Sequence, residues 1–353
     1  MLVAVGIVVL IVVLLRIFKR APSPNTFPIA LLDDGLGNEA LIIEGVVCGE
    51  LVLFLIDTAY AGAPVLSISY MNCLRKNKRL SSSGSVKTRF MSTMEALRHQ
   101  MPNHERHETL NEYVDRGICR SFTSGCTMRL MGIGETTETQ SEMLLCPPIL
   151  LAGKKKWNWD ADVFVTNPLS GSTHILTSDY LLHHGPALLE PRRGQLTLRA
   201  AIQKNNFDIF EAYLVGGAFV IALEVGGVVM NVVLDTGAST TLSIARSAAK
   251  RIENDCKALH KKVYQTGVNG ENICSDVVRL NVTVGSTSLS DIDVLINTQD
   301  VEGADGYIGI GILRAFDIFV SHECVGLRPN GLAARSLSPE EGSCSPNVPC
   351  ARK

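Results

Sequence analysis

Two aspartates each stand at the end of an apolar run and are followed by a threonine. Asp57 closes the run Leu51–Ile56, and Asp235 closes the run Val228–Leu234. Burial in such a place disfavours the charged carboxylate, so its pKa rises. Two carboxylates about 3 Å apart share one proton. Such a pair can activate a water molecule as general base and donate a proton as general acid, so we predict no metal and no cofactor.

The two Asp-Thr pairs belong to a repeat that runs through most of the chain. Ile43–Ala59 matches Ile221–Gly237, because in both segments two β-rich runs flank a glycine turn and the second run ends on Asp-Thr. Further matched pairs follow in the same order: Asp162–Val165 with Asp293–Ile296, and Ile175–Thr177 with Tyr307–Gly309. Matched landmarks in one order indicate a tandem duplication.

The duplication predicts an all-β chain of two lobes, residues 27–198 and 207–329. Short Val, Ile and Leu runs broken by Gly, Asn and Ser are typical of strands and hairpins. Ile244–Leu259 is the best candidate for a helix. A polar stretch at about 72–111 is expected to be a surface insertion of the first lobe, and residues 330–353 a flexible tail.

Several segments resemble the pepsin-like, bilobal family of aspartic peptidases. Leu234–Ser239 is similar to the family's hydrophobic-Asp-Thr-Gly signature, and Gly306–Arg314 is similar to the glycine element that supports the active loop. Phe316–Leu327 resembles the closing strands. With the repeat, the likeness covers about 27–329, and it implies a two-lobed aspartic endopeptidase.

The resemblance implies roles for matched residues. Asp57 and Asp235 would form the catalytic dyad. Thr58 and Thr236 would exchange hydroxyl-to-backbone hydrogen bonds between the two loops. Gly237 would allow a close approach of backbone and substrate.

The resemblance also implies the surroundings of the dyad. Gly309 would support the active loop of the second lobe. A protein or peptide substrate would lie extended in the cleft, with strand-like hydrogen bonds. Flap hairpins would cover it around Phe122 in the first lobe and Tyr264 in the second.

The first lobe departs from the family pattern in three places. Ala59 stands where the family has glycine, and Thr177 stands where its supporting glycine should be. The hydroxyl residue often found three places after each aspartate is replaced by Tyr60 and Ala238. Loss of these outer hydrogen bonds should stabilise the ionised carboxylates less, so we expect a pH optimum closer to neutral than that of a stomach enzyme.

The N-terminus predicts a membrane anchor, residues 1–20. Leu2–Leu15 contains no charged or strongly polar side chain. Basic residues follow it directly: Arg16, Lys19 and Arg20. A helix of about 17–25 residues crosses a bilayer, so Met1–Phe18 is near the lower limit. The positive-inside rule then predicts a cytosolic body. A cleaved signal peptide with a lumenal body is the alternative.

The composition gives information on binding partners, on the state of the cysteines and on the oligomeric state. The 353 residues are 46% hydrophobic and carry a formal net charge of −2, which gives no reason to expect nucleic acid binding. Ten cysteines contain no Cys-x-x-Cys pair, so five disulfides in a lumenal protein and ten thiols in a cytosolic one both stay open. Because both lobes lie in one chain, we expect a monomer.

Two other functions fit the same residues. The departures at Ala59, Tyr60 and Thr177 would suit a pepsin-like fold that has lost catalysis and serves as a binding or structural module. A retroviral-type homodimer that uses only Asp235 is the other alternative.

Overall fold

The computed structural model describes residues 25–33, 39–47, 50–60, 64–67, 121–130, 137–145, 150–151, 155–156, 163–167, 174–183, 185–211, 213–215, 217–252, 257–266, 272–297 and 303–334. This part of the chain is built mainly from β-strands with a few short helices, so the predicted all-β fold is confirmed. The predicted insertion, about 72–111, and the predicted anchor, 1–20, lie outside the described residues. None of the helices that the structure does describe is long and apolar enough to cross a membrane.

The first half of the chain contains strands β1–β12 and helix α1. The strands are β1 Thr26–Asp33, β2 Glu39–Val47, β3 Glu50–Asp57, β4 Val65–Ser67, β5 Ser121–Leu130, β6 Thr137–Leu145, β7 Leu150–Leu151, β8 Lys155–Lys156, β9 Val163–Asn167, β10 His174–Thr177, β11 Ala187–Glu190 and β12 Gln195–Leu198. Helix α1 is Ser178–Leu182, and Pro191–Arg193 forms a 3-10 turn.

The second half contains strands β13–β23 and helices α2 and α3. The strands are β13 Asp208–Glu211, β14 Tyr213–Val215, β15 Ala218–Val225, β16 Val228–Leu234, β17 Leu242–Ala245, β18 Lys257–Thr266, β19 Asn272–Val284, β20 Thr287–Asn297, β21 Gly306–Ile308, β22 Phe316–Val320 and β23 Cys324–Pro329. The helices are α2 Arg246–Ala249 and α3 Ile310–Leu313, and Lys204–Asn206 forms a 3-10 turn.

The two halves share one series of strand pairings. The first half runs β2-β3-β10-β4-β9-β6-β5, and the second runs β15-β16-β21-β17-β20-β19-β18. In both series the successive pairs are antiparallel, parallel, antiparallel, parallel, antiparallel and antiparallel. The strands that carry the matched sequence landmarks therefore occupy equivalent places: β3 with β16, β9 with β20, and β10 with β21.

Strands from both halves also meet in one stretch of sheet. Its order is β13-β23-β22-β11-β12-β1, so β11 of the first half pairs with β22 of the second. The antiparallel register of that pair includes Leu189 opposite Ile318, and both side chains are fully buried. One apolar core extends through both halves as a result.

Burial fixes the direction in which the two aspartates point. Phe54 and Ile56 on β3 are fully buried in the core, as are Val232 and Leu234 on β16. Successive side chains of a strand project from opposite faces of the sheet. Asp57 therefore projects from the face of β3 opposite to the core. Asp235, directly after β16, follows the same alternation and projects from the corresponding face.

Two local predictions are wrong. Ile244–Leu259 is not one helix: it contains the end of β17, the single turn α2 and the start of β18. Ile244 is fully buried in strand pairing with β20 and β21, so long-range pairing overrides the apparent helical pattern. The predicted tail also starts too early, because Asn330 donates its N–H to Ala315 O at 2.9 Å and is held on the body.

Candidate active site

The two Asp-Thr pairs lie at the ends of matched strands and are supported by parallel neighbours. Asp57 is the last residue of β3 and pairs in register with Thr177 of β10. Asp235 follows β16, and its N–H donates to Ile308 O of β21 at 3.0 Å. Each aspartate is therefore placed by two strands of a sheet rather than by a free loop.

Thr58 and Thr236 link the two loops by four reciprocal hydrogen bonds. The Thr58 N–H donates to Thr236 Oγ1 at 3.2 Å, and the Thr236 N–H donates to Thr58 Oγ1 at 3.1 Å. Each hydroxyl then donates to a carbonyl of the other half, Thr58 to Leu234 O and Thr236 to Ile56 O, both at 2.7 Å. Both threonines are fully buried, so these bonds are shielded from water.

Each aspartate carboxyl group accepts two hydrogen bonds from the backbone of its own loop. Asp57 Oδ1 accepts from the N–H groups of the residues two and three places further, at 2.9 and 3.0 Å. Asp235 Oδ1 accepts in the same way from the N–H groups of Gly237 and Ala238, at 2.9 and 3.0 Å. Backbone donors of this kind orient a carboxylate and stabilise its charge.

Both carboxyl groups hold protons more tightly than an ordinary aspartate. Burial raises the pKa of Asp57 to about 6, although hydrogen bonds from the backbone and from the Asp235 carboxyl oppose the rise. Burial, and then the negative charge of Asp57, hold the pKa of Asp235 well above its ordinary value. Two carboxyls that interact in this way titrate as a pair and retain one proton between them over a range of pH.

The residues two places after each aspartate are not equivalent. A β-carbon added at Gly237 would lie 2.6 Å from the carboxyl carbon of Asp57, so only glycine fits there. Ala59 stands at the matching place beside Asp57, and it packs against an apolar cluster of the second half. That cluster consists of Ala218, Val220, Val233 and Tyr307. The methyl group that stands where the family has glycine is thus packed against this cluster.

Gly309 supports the second loop by close backbone contact. Its N–H donates to Thr241 O at 2.7 Å, and an added β-carbon would lie only 2.3 Å from Thr240 O. The next residue, Ile310, donates its N–H to Ala238 O at 2.8 Å. Gly309, directly after β21, therefore holds the loop that follows Asp235 in place.

Thr177 does not interrupt the corresponding support in the first half. The next residue, Ser178, donates both its N–H and its hydroxyl to Tyr60 O at 3.0 Å. Thr177 caps helix α1 by accepting from the Tyr180 N–H at 3.3 Å. The sequence pattern did not predict the role of Ser178, since its partner is more than a hundred residues away.

Two tyrosine phenols lie within electrostatic range of the aspartates. Burial and then the charge of Asp57 raise the pKa of Tyr60. Burial and then the charge of Asp235 raise the pKa of Tyr307. The Tyr307 oxygen accepts from Asn297 Nδ2 at 3.0 Å, and Asn297 Oδ1 accepts from a buried serine, Ser275, at 2.8 Å. The sequence did not predict this last network, because its members come from three separate strands.

The hairpin of the first half differs from the expected flap. Phe122 lies in strand and pairs with Met143, while the strands converge on the pair Leu130 and Thr137 at the other end of the hairpin. Phe122 is therefore not at the closed end, because β5 continues well beyond it. In the second half, Tyr264 pairs with Cys274 in β18 and β19, close to the last described pair of that hairpin.

The described residues include no grouped metal ligands and two free cysteines. In the described ranges no three His, Cys, Asp or Glu side chains are grouped so that they could hold a metal ion. Cys274 and Cys324 are free thiols, and Cys324 is buried beside Ser321. The other cysteines lie outside the residues whose side chains are described.

One protein-family model matches part of the second half of the chain. The family described as aspartyl protease matches residues 221–312, which include Asp235 and Gly309, and this supports an aspartic-protease-like family. No curated protein sequence matches the chain. A retropepsin-like aspartic protease from Rickettsia conorii is 21% identical, with a TM-score of 0.26 over 34% of this chain and 87% of that one. Basic 7S globulin from soybean is 9% identical, with a TM-score of 0.40 over 88% of this chain and 95% of that one.

Proposed function

We propose that this chain is an aspartic endopeptidase, in which Asp57 and Asp235 activate the water that hydrolyses a peptide bond. The observation that carries the proposal is the reciprocal bonding of Thr58 and Thr236. It brings together two carboxyl groups from strand ends far apart in the chain and fixes their loops in one orientation. Rigid positioning of an acid and a base is what this reaction requires.

The pair needs one shared proton to work. The raised pKa values favour that state closer to neutral pH, since the pKa of Asp57 is raised to about 6 and the pKa of Asp235 is raised well above its ordinary value. The charged carboxylate takes a proton from water, and the protonated carboxyl donates to the carbonyl oxygen. Activity should rise as the first proton leaves and fall as the second leaves. This agrees with the pH optimum expected from the sequence.

The strand that carries Asp57 also supports a substrate proposal. Leu55 and Leu53 share the face of β3 with Asp57, since every second side chain points the same way. Leu53 is 50% exposed. An extended peptide or protein segment would therefore meet apolar surface on its way to Asp57. We propose that hairpins β5–β6 and β18–β19 border this path.

The matched strand series supports a two-lobed, pepsin-like fold that arose by duplication, with lobes at 27–198 and 207–329. We further propose an anchor at residues 1–20, with membrane contact through 1–18, and a cytosolic body. Both rest on the apolar run and the basic residues that follow it. A lumenal body is the alternative, and glycosylation mapping of the full chain distinguishes the two.

The two alternatives differ from the proposal in the role of Asp57. A homodimer built on Asp235 would need the partner loop from a second chain, whereas Thr58 and Ile56 already supply it within one chain. A binding module would not need the matched donors that hold both carboxyl groups. A monomeric peptidase is therefore favoured.

Peptide cleavage by the full-length chain tests the proposal. The parent, Asp57→Asn, Asp235→Asn and the exposed control Asp291→Asn are assayed from pH 4 to pH 9, with and without a pepstatin-type inhibitor. Both dyad variants should lose about 10²–10⁴-fold in rate, and the control none. Activity that survives Asp57→Asn would favour the homodimer. A parent without activity at any pH would favour the binding module.

A further inference from the structure

The backbone carbonyl of Tyr60 is a point at which the first aspartyl loop is held. Its oxygen accepts two hydrogen bonds from Ser178, one from the N–H and one from the side-chain hydroxyl, both at 3.0 Å. A carbonyl oxygen has two lone pairs, so both bonds can form at once. Tyr60 also donates its own N–H to Asp57 Oδ1 at 3.0 Å. One residue therefore connects Ser178 with the carboxyl group of Asp57.

Ser178 lies on a rigidly held part of the first half. It directly follows Thr177, which pairs in parallel register with Asp57 on the neighbouring strand β3. It is also the first residue of α1, whose side chains Tyr180 and Leu181 are fully buried in the core. Ser178 itself is only 1% exposed, so its hydrogen bonds are shielded from water. The strand and the helix thus fix the place of its hydroxyl relative to Asp57.

The second aspartyl loop is held at the matching carbonyl by backbone alone. Ala238 is the counterpart of Tyr60, since each donates its N–H to the aspartate of its own loop. The Ala238 carbonyl accepts from the N–H of Ile310 at 2.8 Å, and an isoleucine side chain has no donor to add. Just before it, Gly309 lies so close to the loop that an added β-carbon would be 2.3 Å from Thr240 O. Close backbone packing therefore supports this loop.

The first half cannot use a backbone contact of the same kind. Thr177 stands at the place of Gly309 in the matched strands, and its β-carbon excludes so close an approach. The hydroxyl of Ser178, one residue later, supplies an additional bond to the loop instead. We propose that Ser178 is a positioning residue for Asp57, and that its hydroxyl replaces the close contact of the glycine. The assignment rests on the proposed peptidase function and deepens it.

Helix capping is the ordinary role of a serine at the start of a helix, but here another residue has it. Thr177 caps α1 by accepting from the Tyr180 N–H at 3.3 Å. The Ser178 hydroxyl donates instead to a carbonyl 118 residues earlier in the chain. Its bond therefore ties the helix to the loop of Asp57. Loss of the cap and loss of the Ser178 hydroxyl should consequently have different effects, which makes the two roles separable.

Hydrogen exchange of single amides, followed by NMR in the full-length protein, tests the proposal without any substrate. Ser178→Ala should speed the exchange of the Tyr60 amide by about 5–10-fold, because one of the bonds that hold this residue is lost. The Ala238 amide, in the second loop, should keep its rate. Ser178→Thr retains the hydroxyl and should keep the parent rate at both amides. If the larger threonine does not fold, Ser178→Cys, with a weak thiol donor, should give a rate between those of the parent and Ser178→Ala.

Two control variants separate positioning from general stability. Ser321→Ala removes another buried hydroxyl that donates to a carbonyl at 3.0 Å, in the turn between β22 and β23. Thr177→Ala removes the cap of α1. Neither should speed the Tyr60 amide relative to the Ala238 amide. The proposal is overturned if either control matches the effect of Ser178→Ala. It is also overturned if Ser178→Ala leaves both amides unchanged or speeds them equally.

Cleavage of a peptide gives a second readout. Ser178→Ala should lower kcat by about 10-fold and change KM by less than about twofold, because a misplaced carboxyl group slows the reaction of a substrate that still binds. Ser321→Ala should leave both constants unchanged. A higher KM with the parent kcat would contradict a positioning role. A parent that cleaves nothing would contradict the proposed function, whereas the exchange rates would still decide the role of Ser178.

Discussion

Gly237 lies against the carboxyl group of Asp57, and an added β-carbon would come within 2.6 Å of both its carbon and its Oδ2. Gly237→Ala should therefore displace Asp57 and reduce kcat/KM by at least about 100-fold, since small displacements of a reacting group are costly. Ala59→Gly is the matched change in the other loop and should keep cleavage. Equal losses in the two variants, measured with one peptide substrate, would contradict the asymmetry between the loops.

The hydroxyl of Thr236 should contribute to both stability and activity. Thr236→Val keeps the shape but leaves the Ile56 carbonyl and the Thr58 N–H without their partner inside the protein. An unsatisfied buried group costs about 1–3 kcal/mol, so we expect a loss of about 2–4 kcal/mol in the free energy of unfolding. Thr236→Ser retains the hydroxyl, so its free energy of unfolding should stay close to that of the parent. Chemical denaturation measures both, and equal effects of Val and Ser would argue against the hydrogen bonds.

Thr177 and Gly309, at the ends of β10 and β21, should both lose stability on exchange, but to different degrees. Gly309→Ala places a carbon 2.3 Å from Thr240 O and should destabilise the protein by more than about 3 kcal/mol. Thr177→Gly introduces glycine where the family resemblance implies one, but it removes the cap of α1, which should cost about 1 kcal/mol. Thermal unfolding compares the two. A gain in stability from Thr177→Gly would show that Thr177 is a defect.

The dyad should make the protein less stable as the pH rises. The pKa of Asp57 is about 6 in the folded protein and lies above its ordinary value of 3.8. Its favourable contribution is therefore complete below about pH 3.8 and is lost as the pH rises through about 6. Asp57→Asn should remove a loss on the order of 2–3 kcal/mol between pH 4 and pH 7.

Urea denaturation at several pH values measures this effect. Asp291→Asn, at an exposed site, is the control and should keep the pH dependence of the parent. If Asp57→Asn also keeps it, the carboxyl group of Asp57 is not held in the environment described above.

The sequence predicted a chain built mainly from β-strands, and the structure confirms this fold class. Segments around Asp57 and Asp235 match in order and type, and the matched series of strands places them equivalently. The reciprocal bonds of Thr58 and Thr236 followed from the family resemblance. Such predictions can be made from sequence because each landmark is a short run of residues at the end of a strand.

Features made by distant contacts were not predictable in this way. Ile244–Leu259 looked helical because the pattern does not record that Ile244 pairs with two other strands. The sequence left open whether the first loop tolerates the methyl group of Ala59, since nothing near it in sequence indicates the apolar cluster of the second half. Ser178 shows the same limit, because its partner Tyr60 is brought close only by the sheet.

The stretch of sheet shared by the two halves has a consequence for folding. Leu189 meets Ile318 in the pair β11–β22, so this contact forms only when segments far apart in the chain come together. Contacts of such long sequence separation slow folding. A fragment that ended between the halves would also expose an unpaired β11 edge, which invites aggregation. The chain is thus expected to fold and unfold as one cooperative unit, and a mutation at this seam would weaken both halves together.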